Sequence, residues 1–140
     1  MKKTFLLTLL FLSLLMTLGS CTQNGGYIGD IFGRWHLTRI EGENIEPPIQ
    51  HGDIFWAFQT DVIKMQRDNG LHSFSVAFGM FKIDGDMLYL DFPEEGQPPF
   101  AETGLDRVSE LHIRKMNNKE MVLLYNPLPD ECLIYYFRKW

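Results

Sequence analysis

The chain has 140 residues, of which 45% are hydrophobic and 14% aromatic, and its formal net charge is −5. This composition excludes a disordered chain, and the length allows one small domain with its own core but not two. The acidic balance argues against nucleic acid as a partner, because phosphate binding needs a basic surface. Two cysteines are also too few for a small fold that depends on disulfides.

The first 20 residues have the pattern of a secretory signal peptide. Lys2 and Lys3 form a charged start, and the apolar run from Phe5 to Leu18 is shorter than the ~20 residues that a helix needs to span a membrane. Residues 1–20 are therefore expected to be cleaved and to take no part in the fold. They hold two lysines and no acidic residue, so their removal takes the net charge from −5 to −7.

The end of this leader predicts a lipid anchor. Leu18-Gly19-Ser20-Cys21 resembles the bacterial lipobox, in which small residues precede a cysteine that becomes acylated. The resemblance implies that Cys21 is lipidated, and two or more acyl chains hold a protein stably on a membrane. The alternative is an ordinary signal peptide that is followed by a cysteine by chance.

A lipidated Cys21 has consequences for the next residues and for the location. Residues 21–30 are expected to form a flexible tether, because Thr22-Gln23-Asn24-Gly25-Gly26 is polar and glycine-rich. The residue that follows Cys21 is Thr22. Aspartate at this position would resemble a signal for the inner membrane, whereas threonine resembles outer-membrane sorting. We therefore expect a lipoprotein of the outer membrane that faces the periplasm.

From residue 31 onward the sequence predicts β-strands. Apolar and polar or small residues alternate with the period of two that is typical of a half-buried strand. Asn69-Gly70 and Asp84-Gly85 favour tight hairpin turns. The eight predicted strands are 31–40, 54–59, 62–67, 71–82, 87–92, 108–116, 120–126 and 131–139. The gaps 41–53 and 93–107 each contain a Pro-Pro pair and are predicted to be loops at the barrel mouth, with a short helical turn possible within 100–107.

Strands in this order predict an all-β fold, a single eight-stranded antiparallel up-and-down barrel over residues 31–140. Closure into a barrel removes the exposed edges that an open sheet would present. A barrel of this size holds either packed side chains or one small ligand.

The start of the first strand resembles a known family. Gly33-Arg34-Trp35 resembles the Gly-X-Trp motif of lipocalins, and the strand rhythm of 31–139 is similar to the lipocalin-like domains carried by many Gram-negative lipoproteins. The resemblance implies that Trp35 closes the barrel floor, with Gly33 before it and Arg138 from the last strand over its indole. The chain departs from classical lipocalins because it is shorter, lacks their disulfide and has no C-terminal helix.

The candidate ligand-binding residues are large apolar side chains that are expected to point into the barrel. They leave two possibilities open, a filled core or a narrow apolar pocket for a small hydrophobic molecule. The six candidates are Trp56, Phe58, Phe74, Phe78, Leu90 and Phe92.

Signs of catalysis are missing from the sequence. The four histidines are scattered, and neither a His-X-His nor a Cys-X-X-Cys pair is present, so no metal site and no cofactor are expected. We identify no catalytic residue and expect a protein that is not an enzyme.

Two functions remain. The first is a non-catalytic, membrane-anchored lipoprotein that binds or carries a small hydrophobic molecule in the cell envelope. The alternative is a packed barrel that docks an envelope protein through the outer face of strands 120–139, which are apolar on both faces. An internal pocket of roughly 300 Å³ or more, lined by the aromatic candidates, would favour the first.

Overall fold

The structure, a computed structural model, describes residues 29–42, 45–50 and 53–140. Cys21 and most of the predicted tether therefore lie outside the described residues. Nine strands are found in this part of the chain. They are β1 Gly33–Gly42, β2 Ile45–Gln50, β3 Ile54–Gln59, β4 Val62–Gly70, β5 Ser73–Asp84, β6 Met87–Asp91, β7 Val108–Met116, β8 Glu120–Tyr125 and β9 Leu133–Lys139.

The strands form a closed antiparallel up-and-down barrel, as the sequence predicts. From β3 to β9 each strand pairs with the next along the chain, and β9 pairs with β1 to close the sheet. The barrel itself has eight strands, β1 and β3 to β9, and it contains almost no helix. The closure pairs Trp35 with Lys139 at one end and Gly42 with Leu133 at the other.

The ninth strand, β2, corrects the prediction that 41–53 is a loop. One edge of β1 pairs with β3 over Gly33–His36 and then with β2 over Arg39–Gly42, so β2 and β3 share that edge. On its other edge β2 has no neighbour among the described strands. Proline is tolerated in edge strands because it only removes a donor from the ladder, which explains why Pro47-Pro48 does not prevent pairing.

The core forms from one face of each strand. Ile54, Trp56 and Phe58 of β3 are buried, as alternation predicts, and so are Leu88 and Leu90 of β6. Inward side chains of β8 and β9 complete the core, namely Met121, Leu123, Tyr125, Tyr135 and Phe137. The barrel interior is thus a hydrophobic core of large side chains.

The turn between β4 and β5 lies two residues later than predicted. Gly70 pairs with Ser73, so Leu71 and His72 form a two-residue hairpin turn instead of Asn69-Gly70. Leu71 has φ 51° and His72 has φ 60°. Positive φ at both central positions is the requirement of a type I′ turn.

The second predicted loop, 93–107, contains a short 3₁₀ helix over Ala101–Thr103. It ends at Gly104, whose φ of 68° places it in the left-handed region that glycine adopts without strain. Among the described residues, no helix is long and apolar enough to cross a membrane.

Candidate functional site

The barrel floor is built around Trp35, whose side chain is fully buried. Its indole Nε1 donates a hydrogen bond to the carbonyl of Ile31 at 2.6 Å. The Nζ of Lys139 lies 4.2 Å from the centre of the indole ring. The same ammonium donates hydrogen bonds to the carbonyls of Asp30, at 2.8 Å, and Phe32. The segment that precedes β1 is therefore held by both Trp35 and Lys139.

Gly33 is the residue that allows Lys139 to approach. Its φ is 109°, a conformation that other residues rarely adopt, and a Cβ built on it would lie 3.2 Å from Cε of Lys139. The spacing of glycine and tryptophan in the Gly-X-Trp motif thus fits the local packing of this chain, because Gly33 leaves space for Lys139 over Trp35.

The prediction that Arg138 covers the indole is wrong. Side chains alternate along β9, and Lys139 is the residue paired with the inward-facing Trp35. Arg138 pairs with His36 and is exposed on the outer surface of the barrel. Burial lowers the pKa of Lys139, because the ammonium loses hydration in its place over the indole.

Four of the six ligand-binding candidates lie inside the barrel. Trp56, Phe58, Leu90 and Phe92 are at most 2% exposed. The ring centre of Trp56 lies 4.7 Å from that of Phe137 and 6.0 Å from that of Tyr135. The rings pack on one another, so the space that the sequence left open is occupied by aromatic side chains.

The other two candidates, Phe74 and Phe78, point outward, and their prediction as pocket residues is wrong. They are 61% and 57% exposed, whereas Ala77 on the opposite face of β5 is fully buried. A Cβ on Gly79 would lie 2.7 Å from the backbone oxygen of Asp91 and 3.0 Å from the ring of Phe92. The interior is already filled where β5 passes, so this strand must turn its small side chains inward.

One polar atom inside this core has no hydrogen-bond partner in the described part of the chain. The indole Nε1 of Trp56 is buried, and no hydrogen-bond acceptor among the described residues reaches it. An unsatisfied buried donor costs about 1–3 kcal/mol, and most such groups in native proteins have a protein or water partner. Among the six predicted ligand residues, Trp56 is therefore the one with a buried hydrogen-bond donor that no described residue satisfies.

Residues 93–107, which we call the lid, close one end of the barrel. Phe100, Thr103 and Leu105 of the lid are buried. The hydroxyl of Tyr135 donates a hydrogen bond to the carbonyl of Thr103 at 2.6 Å. Burial raises the pKa of Tyr135, since the phenolate would lose its hydration in this place.

An ion pair joins the lid to the barrel wall. Arg67 of β4 donates to the carboxylate of Glu102, and its guanidinium carbon lies 5.0 Å from the ring centre of Phe100. Both charged side chains are about one-third exposed. At the other end of the lid, Arg107 donates to the carbonyls of Pro93 and Gly96 at 2.5 and 3.1 Å. The lid is thus held by polar contacts around an apolar plug.

A groove of about 560 Å³ lies on the outer surface and is lined by none of the six candidates. Its lining includes Arg39, Lys115, Glu120, Tyr136 and Arg138. Lys115 donates a hydrogen bond to Glu120 at 2.5 Å, which holds the pKa of that carboxyl below its usual value. The guanidinium of Arg39 lies 4.1 Å from the ring centre of Tyr136. This groove belongs to the outer face of strands 120–139, which the sequence proposes for docking.

No metal centre can be assigned in the part of the chain that the structure describes. Nowhere in it do three His, Cys, Asp or Glu side chains come together in a way that could hold a metal ion. His112 instead pairs with Asp86, at 2.7 Å between Nε2 and Oδ2, beside the β5–β6 turn.

Three side-chain contacts of the site were not predicted from the sequence, those of Lys139, Arg67 and Tyr135. Lys139 could have been predicted from the alternation of β9, because it lies two residues after Phe137 and therefore on the same inward face as Tyr135 and Phe137. Arg67 continues the inward parity of Ile63 and Met65, but nothing in the sequence links it to a lid residue. The contact of Tyr135 with the lid has no sequence signal, because it joins residues far apart in the chain.

The comparisons with known proteins agree with this geometry. Two solved structures have the same fold at 16% identity. The first, a lipocalin-like protein from Bacteroides uniformis ATCC 8492, has a TM-score of 0.67 over 80% of this chain and 100% of that one. The second, an uncharacterized protein from Bacteroides eggerthii DSM 20697, has a TM-score of 0.63 over 78% of this chain and 98% of that one.

No curated protein matches the chain. The family model of the lipocalin-like domain matches residues 14–140, which is most of the sequence. The motif at Gly33 and Trp35, the closed barrel and this match lead to one conclusion: the chain belongs to the family of lipocalin-like domains.

Proposed function

We propose that this protein is a non-catalytic lipoprotein of the cell envelope that binds a small hydrophobic molecule inside its barrel, beneath the lid. The observation that carries the proposal is the buried indole N–H of Trp56, which has no acceptor among the described residues. A ligand with one acceptor oxygen and an apolar body would satisfy this donor and keep the apolar surroundings.

Aromatic side chains occupy the interior of the closed barrel, so on this proposal movement of the lid must supply both the space and the route. Phe100 and Leu105 of the lid are buried in the same hydrophobic cluster as Trp56, so their withdrawal would open an apolar volume at the mouth of the barrel. The polar contacts that hold the lid are an ion pair and single hydrogen bonds, each of which contributes only about 0.5–1.5 kcal/mol. Withdrawal of Phe100 and Leu105 would cost about 1.5–3 kcal/mol more for each side chain, but it would leave the strand ladders of the barrel intact.

The location rests on the leader sequence. Acylation of Cys21 would keep the barrel at the outer membrane, where hydrophobic molecules are concentrated. The membrane is the partner on this proposal, through Cys21, and the ligand is a small apolar compound.

The test is ligand retention in native mass spectrometry of the full chain purified from its host. The wild-type protein is expected to carry a bound small molecule, and added palmitate serves as a defined probe. Trp56→Phe keeps an aromatic ring and removes the donor, so retention of palmitate should fall roughly fivefold, the equivalent of one hydrogen bond of about 1 kcal/mol.

The matched control is Trp140→Phe, which changes an exposed indole at the end of the chain and should leave retention unchanged. Glu102→Gln removes the charge that Arg67 binds and should speed both uptake and release of palmitate. Binding beneath the lid would be refuted if the wild-type protein carried no small molecule after purification from its host and bound no added palmitate. It would also be refuted if Trp56→Phe retained palmitate as well as the wild type.

The alternative function is docking of an envelope protein through the outer face of strands 120–139. Val122, Leu124, Ile134 and Tyr136 point outward there and are half-buried, and the 560 Å³ groove lies beside them. A photo-crosslinker at Ile134 should give one discrete adduct in intact cells, while the same group at the exposed Glu110 of β7 should give none. Absence of any adduct at Ile134 would remove this alternative.

A further inference from the structure

Strand β5 has an edge that only part of the sheet covers. It pairs with β4 over Ser73–Met80, but β6 pairs only with Met80–Asp84 on the other side. Among the described residues, no backbone hydrogen bond outside the strand ladders involves Ser73–Phe78. We call Ser73–Phe78 the open edge, because Asp91 and Phe92 already lie against Gly79. An edge of this kind presents unpaired N–H and C=O groups that can accept another strand.

The open edge lacks the features that usually protect such strands. Natural edges carry charged residues or proline that prevent pairing, and Ser73–Phe78 contains neither. Its outer face instead exposes Phe74 and Phe78, with Val76 between them. Aromatic and β-branched residues are the ones that form favourable cross-strand pairs.

The open edge is also nearly symmetric about Val76. Phe74 and Phe78 lie two residues before and after it, and Ser75 and Ala77 lie one residue away. An antiparallel pairing of two copies centred on Val76 would place each Phe74 opposite Phe78 of the other copy. The small residues would then face small residues, and no large side chain would lack a counterpart.

We propose that the open edge pairs with the same edge of a second copy of this chain. The interface is isologous, with a two-fold axis at Val76 that makes the dimer closed. The length of the open edge also suits this pairing, because the hairpin turn bounds it at one end and the start of the pairing with β6 bounds it at the other. The Val76 side chains lie at the centre, and Phe74 and Phe78 cover them.

Sedimentation equilibrium of the full chain tests this pairing. The measurement uses a Cys21→Ala background, so that lipidation does not affect the mass. This protein should be a dimer, and Val76→Lys should convert it into a folded monomer, because the two-fold axis brings the two ammonium groups together. Val108→Lys is the matched control, since Val108 is exposed on the outer surface but lies outside the open edge, and it should remain a dimer.

Cross-linking tests the register. Val76→Cys in a background with Cys21→Ala and Cys132→Ser should form a disulfide-linked dimer, because directly opposed residues of antiparallel strands lie ~4.5–5.5 Å apart at Cα, within disulfide range. Val108→Cys in the same background should not.

A monomer at every concentration would overturn the proposal, and so would a dimer that survives Val76→Lys or that fails to cross-link at position 76. A monomer that binds phosphatidylethanolamine–phosphatidylglycerol vesicles and loses this binding in Val76→Lys would also overturn it, and would assign the open edge to a lipid surface.

Discussion

Lys139 contributes to the barrel floor through three contacts of one ammonium group. It donates hydrogen bonds to two carbonyls of the segment before β1 and lies over the indole of Trp35. Hydrogen bonds to charged groups contribute more than neutral ones, and a cation over an indole adds to them. The floor is therefore expected to depend on Lys139 and not on its neighbour Arg138.

This difference can be measured. Lys139→Ala should lower the free energy of unfolding by about 2 kcal/mol, since its hydrogen bonds and its cation–π contact are lost together. Arg138→Ala should change it by less than about 0.5 kcal/mol, as exposed surface substitutions usually do. Urea unfolding followed by tryptophan fluorescence gives both values, and equal losses would contradict the assignment of Lys139.

The buried hydroxyl of Tyr135 should make the free energy of unfolding depend on pH in the alkaline range. Burial raises its pKa in the folded protein above the ordinary value of 10.0, so above pH 10.0 the unfolded chain releases a proton that the folded protein keeps. The free energy of unfolding should therefore be unaffected by this group below pH 10.0 and should fall as the pH rises beyond it.

Tyr135→Phe separates this effect from other groups. The variant should be less stable at neutral pH, because the hydrogen bond to the carbonyl of Thr103 is lost. It should also lose stability less steeply than the wild type above pH 10.0, measured by urea unfolding at a series of pH values. The same alkaline slope in both proteins would show that Tyr135 ionises freely in the folded state.

Among the elements, the β4–β5 hairpin has an unusual turn. Leu71 and His72 both have positive φ, a conformation that costs about 1–2 kcal/mol per residue for most side chains. The side chain of Leu71 is fully exposed, so packing does not explain its presence. The turn is better suited to Asn-Gly, which adopts these angles with little strain.

Leu71→Asn combined with His72→Gly should therefore raise the free energy of unfolding by about 1–2 kcal/mol. Leu71→Ala is the control, because it removes the exposed side chain without relieving the backbone, and it should give no comparable gain. Thermal and urea unfolding measure the change. A destabilised double variant would mean that Leu71 or His72 makes contacts that compensate for its strain.

Local sequence determines which face of a strand points inward in some strands, and contacts in the assembled barrel determine it in others. Alternation predicted the inward face of β3 and β6, whose alternate large apolar residues are buried, although Phe55 and Tyr89 lie on the opposite faces. It failed for β5, where the more apolar face points outward. The reason is that Gly79 must approach Asp91 and Phe92 closely, and this contact arises only once the strands are paired.

The same limit applies to the candidate site. The Gly-X-Trp motif predicted the floor at Gly33 and Trp35, because it is a local pattern at the start of a strand. The ion pair between Arg67 and Glu102 joins β4 to the lid across the barrel mouth, and no periodicity indicates such a contact. The N–H of Trp56, which has no partner within the described ranges, likewise depends on which side chains surround it in the folded barrel.

At the scale of the whole molecule, the predicted anchor can be tested directly. Cys21→Ala removes the thiol that acylation requires, so the protein should move from the membrane fraction to the soluble fraction of its host cells. Cys132→Ser is the control, because it changes the other cysteine and should leave the protein with the membrane. Continued membrane association of Cys21→Ala would mean that other residues hold the protein there.

The two ends of β1 lie at opposite ends of the barrel, and this has a consequence for how cargo would be exchanged. The chain enters at the floor, where Lys139 binds Asp30 and Phe32, while the lid meets Tyr135 near the far end of the strand. Cys21 lies nine residues before Asp30, so an acyl group there would attach the protein through its floor end, opposite the lid. A flexible tether of this length would leave the barrel free to turn, so a molecule bound beneath the lid would exchange with the bilayer as well as with the aqueous compartment.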